Sequence, residues 1–271
     1  MIDPDLLDRL VASVQSGAKY RNIEPGLIRR IGETELRNQS TYKDALKSTR
    51  SRLHQVSAAY QEGKIDYSYW TDELTGLPSD LSDSNLQAIC RRMMALHAST
   101  RELLPILETF FTTTLSSLAP IHSVFDLACG LNPLALPWMP LAEDAHYFAC
   151  DVYYDLAAFL NRFFAHLNFQ GEAFTLDLTH TIPDQHVDLA LLLKTLPCLE
   201  QLDKSIGPRL LTRIKARHLL VSFPSHSLGG RSKGMVSNYE THFLKMVSSQ
   251  PWTIQRFVFP SELAFLLTPL P

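Results

Sequence analysis

The chain has 271 residues, 45% hydrophobic and 20% charged, which suits one large folded domain or a core with an extension and excludes a disordered chain. It contains no uninterrupted run of about 18 apolar residues, so no membrane span is expected. Its net charge of −3 conceals a segregation. Residues 19–54 hold nine Lys/Arg against four acids, residues 121–203 hold Arg162 and Lys194 against eleven acids, and residues 204–256 hold nine Lys/Arg against Glu240. Two basic segments flanking an acidic middle predict an anionic partner touched by both.

The start, MIDPDLLDRL, is acidic and amphipathic and does not read as a signal peptide. Residues 1 to about 100 read as helical. Leu6, Leu7, Leu10, Val11 and Val14 recur at helical spacing. A second helix is expected from Pro25 through Leu36. A third runs from Tyr42 to Tyr60 with Leu46, Leu53, Val56 and Ala59 inward. Gly76–Ser84 is a polar turn, and Leu86–Leu96 is helical again. Ser99 and Glu102 have capping-box spacing and predict a helix start there, running through Phe111.

Beyond about residue 101 the pattern alternates. Strands are expected at Ser123–Ala128, His146–Asp151, Ala173–Leu178, Val187–Leu193, His218–Phe223, Thr253–Phe259 and Glu262–Thr268, with helices such as Asp155–Asn168 and Asp203–Ile214 between them. This predicts an α/β fold: a mostly parallel seven-stranded sheet, helices on both faces, and a terminal antiparallel hairpin. The expected division is a helical region 1–100 and a core 101–271.

The segments that carry chemistry lie at strand ends. DLACGLNPL (Asp126–Leu134) follows the first strand. In an open parallel sheet a ligand binds beyond the carboxyl ends of the strands, at the switch point. Ala128 and Gly130 are small enough to let a ligand approach the backbone. Asp151 closes the second strand, where an acid can accept ribose hydroxyls, and Asp177 closes the third, where an acid can accept an exocyclic amine beside the Leu178 backbone. Three acids at successive strand ends, Asp126 among them, predict an adenosine ligand. VSFPSHSLGGRSKGM (Val221–Met235) reads as a buried strand followed by a cationic loop, suited to an anion. Cys90, Cys129, Cys150 and Cys198 form no CxxC pair, and the histidines show no HxxxH or HExxH spacing. Buried thiols in a reducing cytoplasm and no metal site are expected.

Together, KYRNIEPGLIRRI, TRSRLHQVSAAY, LHAST, DLACGLNPLAL, LLLKTLPCLE and VSFPSHSLGGRSKGMVSNYE resemble the aminoglycoside-resistance methyltransferases that act on guanine 1405 N7 of 16S ribosomal RNA. The resemblance implies a class I methyltransferase fold and S-adenosylmethionine as cofactor. It places the cofactor against Ala98, Ser99 and Thr100, the Ala128–Gly130 turn, Asp151, Asp177, Leu178 and Leu193. It also implies that Lys194, Arg231 and Lys233 serve the RNA, within the 30S subunit, in a cytoplasmic monomer. The family carries an arginine three residues beyond the threonine of HAST; here that position is Leu103. Methylation of another decoding-site base, or a weakened RNA-binding homologue, are the alternative readings at this stage.

Overall fold

The computed structural model describes residues 2–56, 63–226 and 234–270. Helices α1 (Pro4–Gln15), α2 (Pro25–Asn38), α3 (Tyr42–Val56), α4 (Tyr67–Thr75) and α5 (Ser84–Met94) come first. Acidic caps start four of them: Asp3, Glu24, Asp66 and Asp83 accept backbone N–H groups of the first turn. Proline stands in the first turn of α1 and α2, where its missing N–H costs nothing. Helix α4 has no counterpart among the expected elements. The inner face of α3 is Ala45, Thr49 and Leu53, while Leu46 is only partly buried. The expected end of this helix, Ala59 and Tyr60, lies outside the described residues.

The helix expected from Ser99 is broken. Helix α6 (Ala98–Leu103), a 3-10 turn (Leu104–Ile106) and α7 (Leu107–Leu115) replace it. Pro105 supplies no N–H and interrupts the ladder. The cap position belongs to His97, so Ser99 is inside the first turn and makes no capping box.

The sheet strands are β1 (Ile121–Leu127), β2 (Leu141–Asp151), β3 (Gly171–Thr175), β4 (Val187–Leu193), β5 (Ala216–Pro224), β6 (Trp252–Val258) and β7 (Glu262–Pro269), in the order 3-2-1-4-5-7-6. β1 to β5 are parallel; β7 inserts antiparallel between β5 and β6. Helices α8 (Tyr154–His166), α9 (Thr195–Leu199), α10 (Ile206–Arg213) and α11 (Met235–Val247) complete the fold. β3 ends at Thr175, so Asp177 lies in the following loop and not in the strand. A 3-10 helix, Asn132–Trp138, follows β1; it contains Pro133 and Pro137.

Successive residues of the central strands face opposite sides, as strand geometry requires. Leu189, Leu191, Leu220, Ala264 and Leu266 join the core shared with the N-terminal helices. Ala190, Leu192, Leu219, Val221 and Phe265 join the core with α10 and α11. Near-continuous apolar runs in β4, β5 and β7 follow from burial on both faces. The helical and sheet regions therefore share one core, and the 100/101 division falls inside α6. Among the described residues, no helix is long and apolar enough to cross a membrane.

Asp126 sits within β1, wholly buried, and accepts from Asn132 Nδ2 at 2.7 Å and Tyr147 Oη at 2.8 Å. It braces the turn from beneath and does not line the cleft described below, which corrects its expected place among the ligand acids. Burial pushes its carboxyl up to about 7. The folded chain thus keeps a proton that the unfolded chain has lost, so stability from this group falls as pH rises from about 4 to about 7. Glu262, also raised to about 7 by burial, acts with the same sign. Asp126→Asn should make the loss of melting temperature between pH 5 and pH 8 smaller than in the parent chain, a comparison that thermal denaturation at the two pH values measures directly.

Candidate cofactor cleft

The switch point lies between β1 and β4, where the strand order reverses direction. A cleft opens beyond the carboxyl ends of these strands and encloses about 830 Å³, open solvent included. Both strands end in left-handed residues: Ala128 at φ 51° and Lys194 at φ 58°. Non-glycine residues take this conformation at a cost of roughly 1–2 kcal/mol each, and the turn chain is held there by its partners. Thr195 Oγ1 donates to the Leu127 carbonyl at 3.0 Å, tying the two strand ends together. Gly130, at φ 52°, passes so close to His97 that a Cβ would stand 3.2 Å from the imidazole.

Ser99, Ala128, Gly130, Asp151, Asp177, Leu178, Leu193 and Lys194 all line this cleft. Ala98 and Thr100 do not. They are buried, and Thr100 Oγ1 donates to the Met94 carbonyl at 2.6 Å, so they shape the segment from behind. Arg231 and Lys233 lie outside the described residues. Leu103 is buried in the core and takes no part in the cleft wall.

Asp151 Oδ2 accepts from the Gly130 N–H at 2.9 Å and Oδ1 from the Val152 N–H at 2.7 Å. Burial raises its pKa; the backbone donors of Gly130, Val152 and Tyr153 oppose that. Each oxygen retains a second lone pair. Asp177 Oδ1 accepts from Thr179 N and Oγ1 at 2.8 and 2.6 Å, and its Oδ2 pairs with Arg30 of α2. The cleft is also lined by the apolar Leu178, Leu199 and Leu202.

Lys194 lines the cleft but finds its polar partners within the chain. Its ammonium is 6% exposed and turned inward: Nζ lies 2.9 Å from the Ser99 carbonyl, 2.7 Å from Glu102 Oε2 and 3.1 Å from Glu262 Oε2. The ammonium donates to the Ser99 carbonyl and to Glu102 and is ion-paired with Glu262. A lysine that ends an apolar strand needs an anionic partner; here the chain itself supplies it. His97 is held neutral, its pKa lowered to about 4 by burial first and then by the charges of Lys194 and Arg101. Its Nδ1 lies 2.8 Å from Ser99 Oγ.

The sequence reading missed the wall that comes from elsewhere. Leu27 of α2 and Val56 of α3 reach the cleft, as do Val152, Tyr153 and Cys198. Val152 and Tyr153 follow Asp151 directly in the chain, which places them on the β2 side of the cleft. Nothing in periodicity separates a helix residue facing a cleft from one facing the core.

The donor set fits S-adenosylmethionine or its product. A backbone without a Cβ at Gly130, an acid with free lone pairs after β2, a second acid after β3 and apolar residues in the same cleft match a nucleoside. Asp151 would hold the ribose, Asp177 and Leu178 the adenine, and the His97–Ser99 segment the methionine end.

A family model described as "Ribosomal RNA methyltransferase (FmrO)" matches residues 16–266. The 16S rRNA (guanine(1405)-N(7))-methyltransferase of Micromonospora rosea is 32% identical over 267 residues, covering 97% of each chain. The protein of the same name from Serratia marcescens is 32% identical over 233 residues, 86% of each chain. The crystal structure of the 16S rRNA methyltransferase RmtF in complex with S-adenosyl-L-homocysteine is similar with a TM-score of 0.85 and 29% identity, covering 100% of both chains.

Proposed function

As the chain belongs to the FmrO ribosomal RNA methyltransferase family, we propose that it methylates N7 of guanine 1405 in 16S ribosomal RNA within the 30S subunit, and so confers aminoglycoside resistance. The near-full-length likeness to relatives of that name carries the target. The cleft's two acids and its Gly130 turn support the cofactor, S-adenosylmethionine. Bound there, it supplies an electrophilic methyl group on a sulfonium.

Guanine N7 has a free lone pair at neutral pH, so no proton has to be removed before attack. This agrees with the protein chemistry of the cleft. His97 is neutral and hydrogen-bonded to Ser99, and Lys194 is committed to Glu102 and Glu262. The residues present bind and orient and exclude water; alignment of this kind can contribute roughly 7–11 kcal/mol. Extruding the base costs a few kcal/mol, which contacts to the RNA backbone would offset.

The helical region 1–100 is the proposed RNA-docking part. Several of its cations are already used internally: Arg29 with Asp8, Arg37 with Glu33, and Arg52 with Glu35. Lys19, Arg21, Lys43 and Lys47 are exposed and remain for phosphate. Lys43→Glu combined with Lys47→Glu, one turn apart on α3, should weaken 30S binding and flatten its salt dependence. Filter binding across a salt series reads both effects. The exposed large hydrophobics among the described residues are Tyr69, Tyr154, Leu244, Val258 and Leu270, scattered along the chain, which supports a monomer; light scattering that returned a dimer mass would refute it.

The decisive experiment is incubation of 30S subunits with methyl-labelled S-adenosylmethionine, then reductive cleavage and primer extension across the decoding site. A stop at guanine 1405 is expected. Label at another base would move the target, and no label would remove the activity.

A further inference from the structure

We infer that Arg30, on the N-terminal helix α2, is a positioning residue that makes the cofactor cleft selective for a base carrying an exocyclic amine. The inference rests on the cofactor reading above. Asp177, only 7% exposed, lines the cleft and is the acid to which the cofactor reading gives the base. One of its oxygens is occupied by both donors of Thr179, and the other pairs with the Arg30 guanidinium. Arg30 does not line the cleft. It lines a separate surface cavity with Thr34, Arg52 and Asp203, and Leu27 and Leu202 wall both cavities. The guanidinium therefore reaches the carboxylate from a cavity other than the cleft that Asp177 lines.

Both partners are themselves held. The Thr179 carbonyl accepts from Arg209 Nη2 at 2.9 Å, and Arg209 Nη1 reaches Asp203 at 2.7 Å, which fixes the loop after β3. On the other side, Glu24 caps α2, and its own N–H donates to the Val152 carbonyl at 2.9 Å. Ile23 and Tyr153 form an isolated antiparallel bridge. Helix α2 is thus anchored to the loop that follows Asp151 while its Arg30 reaches the loop that carries Asp177. One helix spans both acids of the cleft.

The chemistry follows from the pair. A carboxylate held by a guanidinium stays charged, and a charged carboxylate accepts but cannot donate. An exocyclic amine is the donor it needs. Without the guanidinium, a carboxylate this deeply buried loses its counter-charge and its fixed orientation, and burial favours the neutral form. The preference for an amine then fades, whereas a purely structural role for Arg30 would weaken all ligands alike.

The test is isothermal titration of the full chain with S-adenosyl-L-homocysteine and with its purine analogue, which keeps ring N1 and carries hydrogen in place of the amine. The parent chain should prefer the adenine compound by about tenfold or more, the value of one charge-assisted hydrogen bond. Arg30→Met should bring the two affinities within about threefold of each other, and Arg30→Lys should retain most of the preference. Arg30→Gln, neutral but polar, serves the same purpose if the methionine variant does not fold. An unchanged ratio in Arg30→Met or Arg30→Gln would overturn the inference even if both affinities fell. An equal affinity of the parent chain for both ligands would overturn it too. Failure of the parent chain to bind either ligand would overturn the cofactor reading itself, a separate result.

Discussion

Lys194→Met lowers the free energy of unfolding by about 3–5 kcal/mol, the usual cost of removing one partner from a buried ion pair. The side chain is 6% exposed and Glu262 only 1%, so the carboxylate left behind has no water to turn to. Its remaining partner is Ser222 Oγ at 3.1 Å. The loss should depend on pH in a defined direction. Burial already raises the Glu262 carboxyl to about 7, and Lys194 is the main influence lowering it. In the variant Glu262 takes up a proton more readily, and the neutral acid is cheaper to bury. The difference between parent and variant should therefore shrink from pH 8 to pH 5. Adding Glu262→Gln to Lys194→Met should recover a large part of the loss at pH 8. Urea denaturation at the two pH values checks both points. A Lys194 that served only as an outward RNA contact would leave stability unchanged.

Asp151→Ala should weaken S-adenosyl-L-homocysteine binding by about 100-fold, since hydrogen bonds to a charged group contribute roughly 1.5–3 kcal/mol each and a ribose offers two hydroxyls. The variant also strips the Gly130 and Val152 N–H groups of their acceptor. The turn at Gly130 is set at positive φ against the His97 ring, so its loosening adds to the effect. Asp151→Asn keeps one acceptor oxygen and should fall between the two. Titration calorimetry measures the affinities, and thermal denaturation without ligand separates loss of the ribose contacts from loss of the turn. Binding within about threefold of the parent chain would remove Asp151 from the site.

The sheet was legible because both of its faces are covered. Runs such as Val187–Leu193 and Leu219–Phe223 are apolar at nearly every position, and only a strand buried on two sides uses such a run. The Ala128, Gly130, Asp151 and Asp177 positions were legible because a parallel sheet places ligands at one edge only. The internal pairing of Lys194 was hidden because its partners, Glu102 and Glu262, are distant in the chain, and a lysine's sequence neighbours say nothing of which carboxylate it meets. The capping box expected at Ser99 fails although the S-x-x-E spacing is present, because Glu102 is drawn to the distant Lys194 and the cap position falls to His97. The contribution of α2 was hidden because Leu27 belongs to a regular amphipathic pattern, and Arg30 looked like one more member of a basic segment.

The insertion of β7 between β5 and β6 also has a consequence for biosynthesis. A growing chain emerges amino end first, so β1 to β6 are all made before β7. Until Glu262 arrives, Lys194 has the Ser99 carbonyl and Glu102, and β5 presents an unpaired edge where Ser222 and Phe223 await Ala264 and Leu263. The helical region, with the exposed lysines proposed to meet RNA, is complete long before that. A ribosome-bound chain thus has its exposed lysines and every residue that lines the cleft made while β5 still lacks its partner strand, and the order of synthesis leaves closure of the sheet to the last residues.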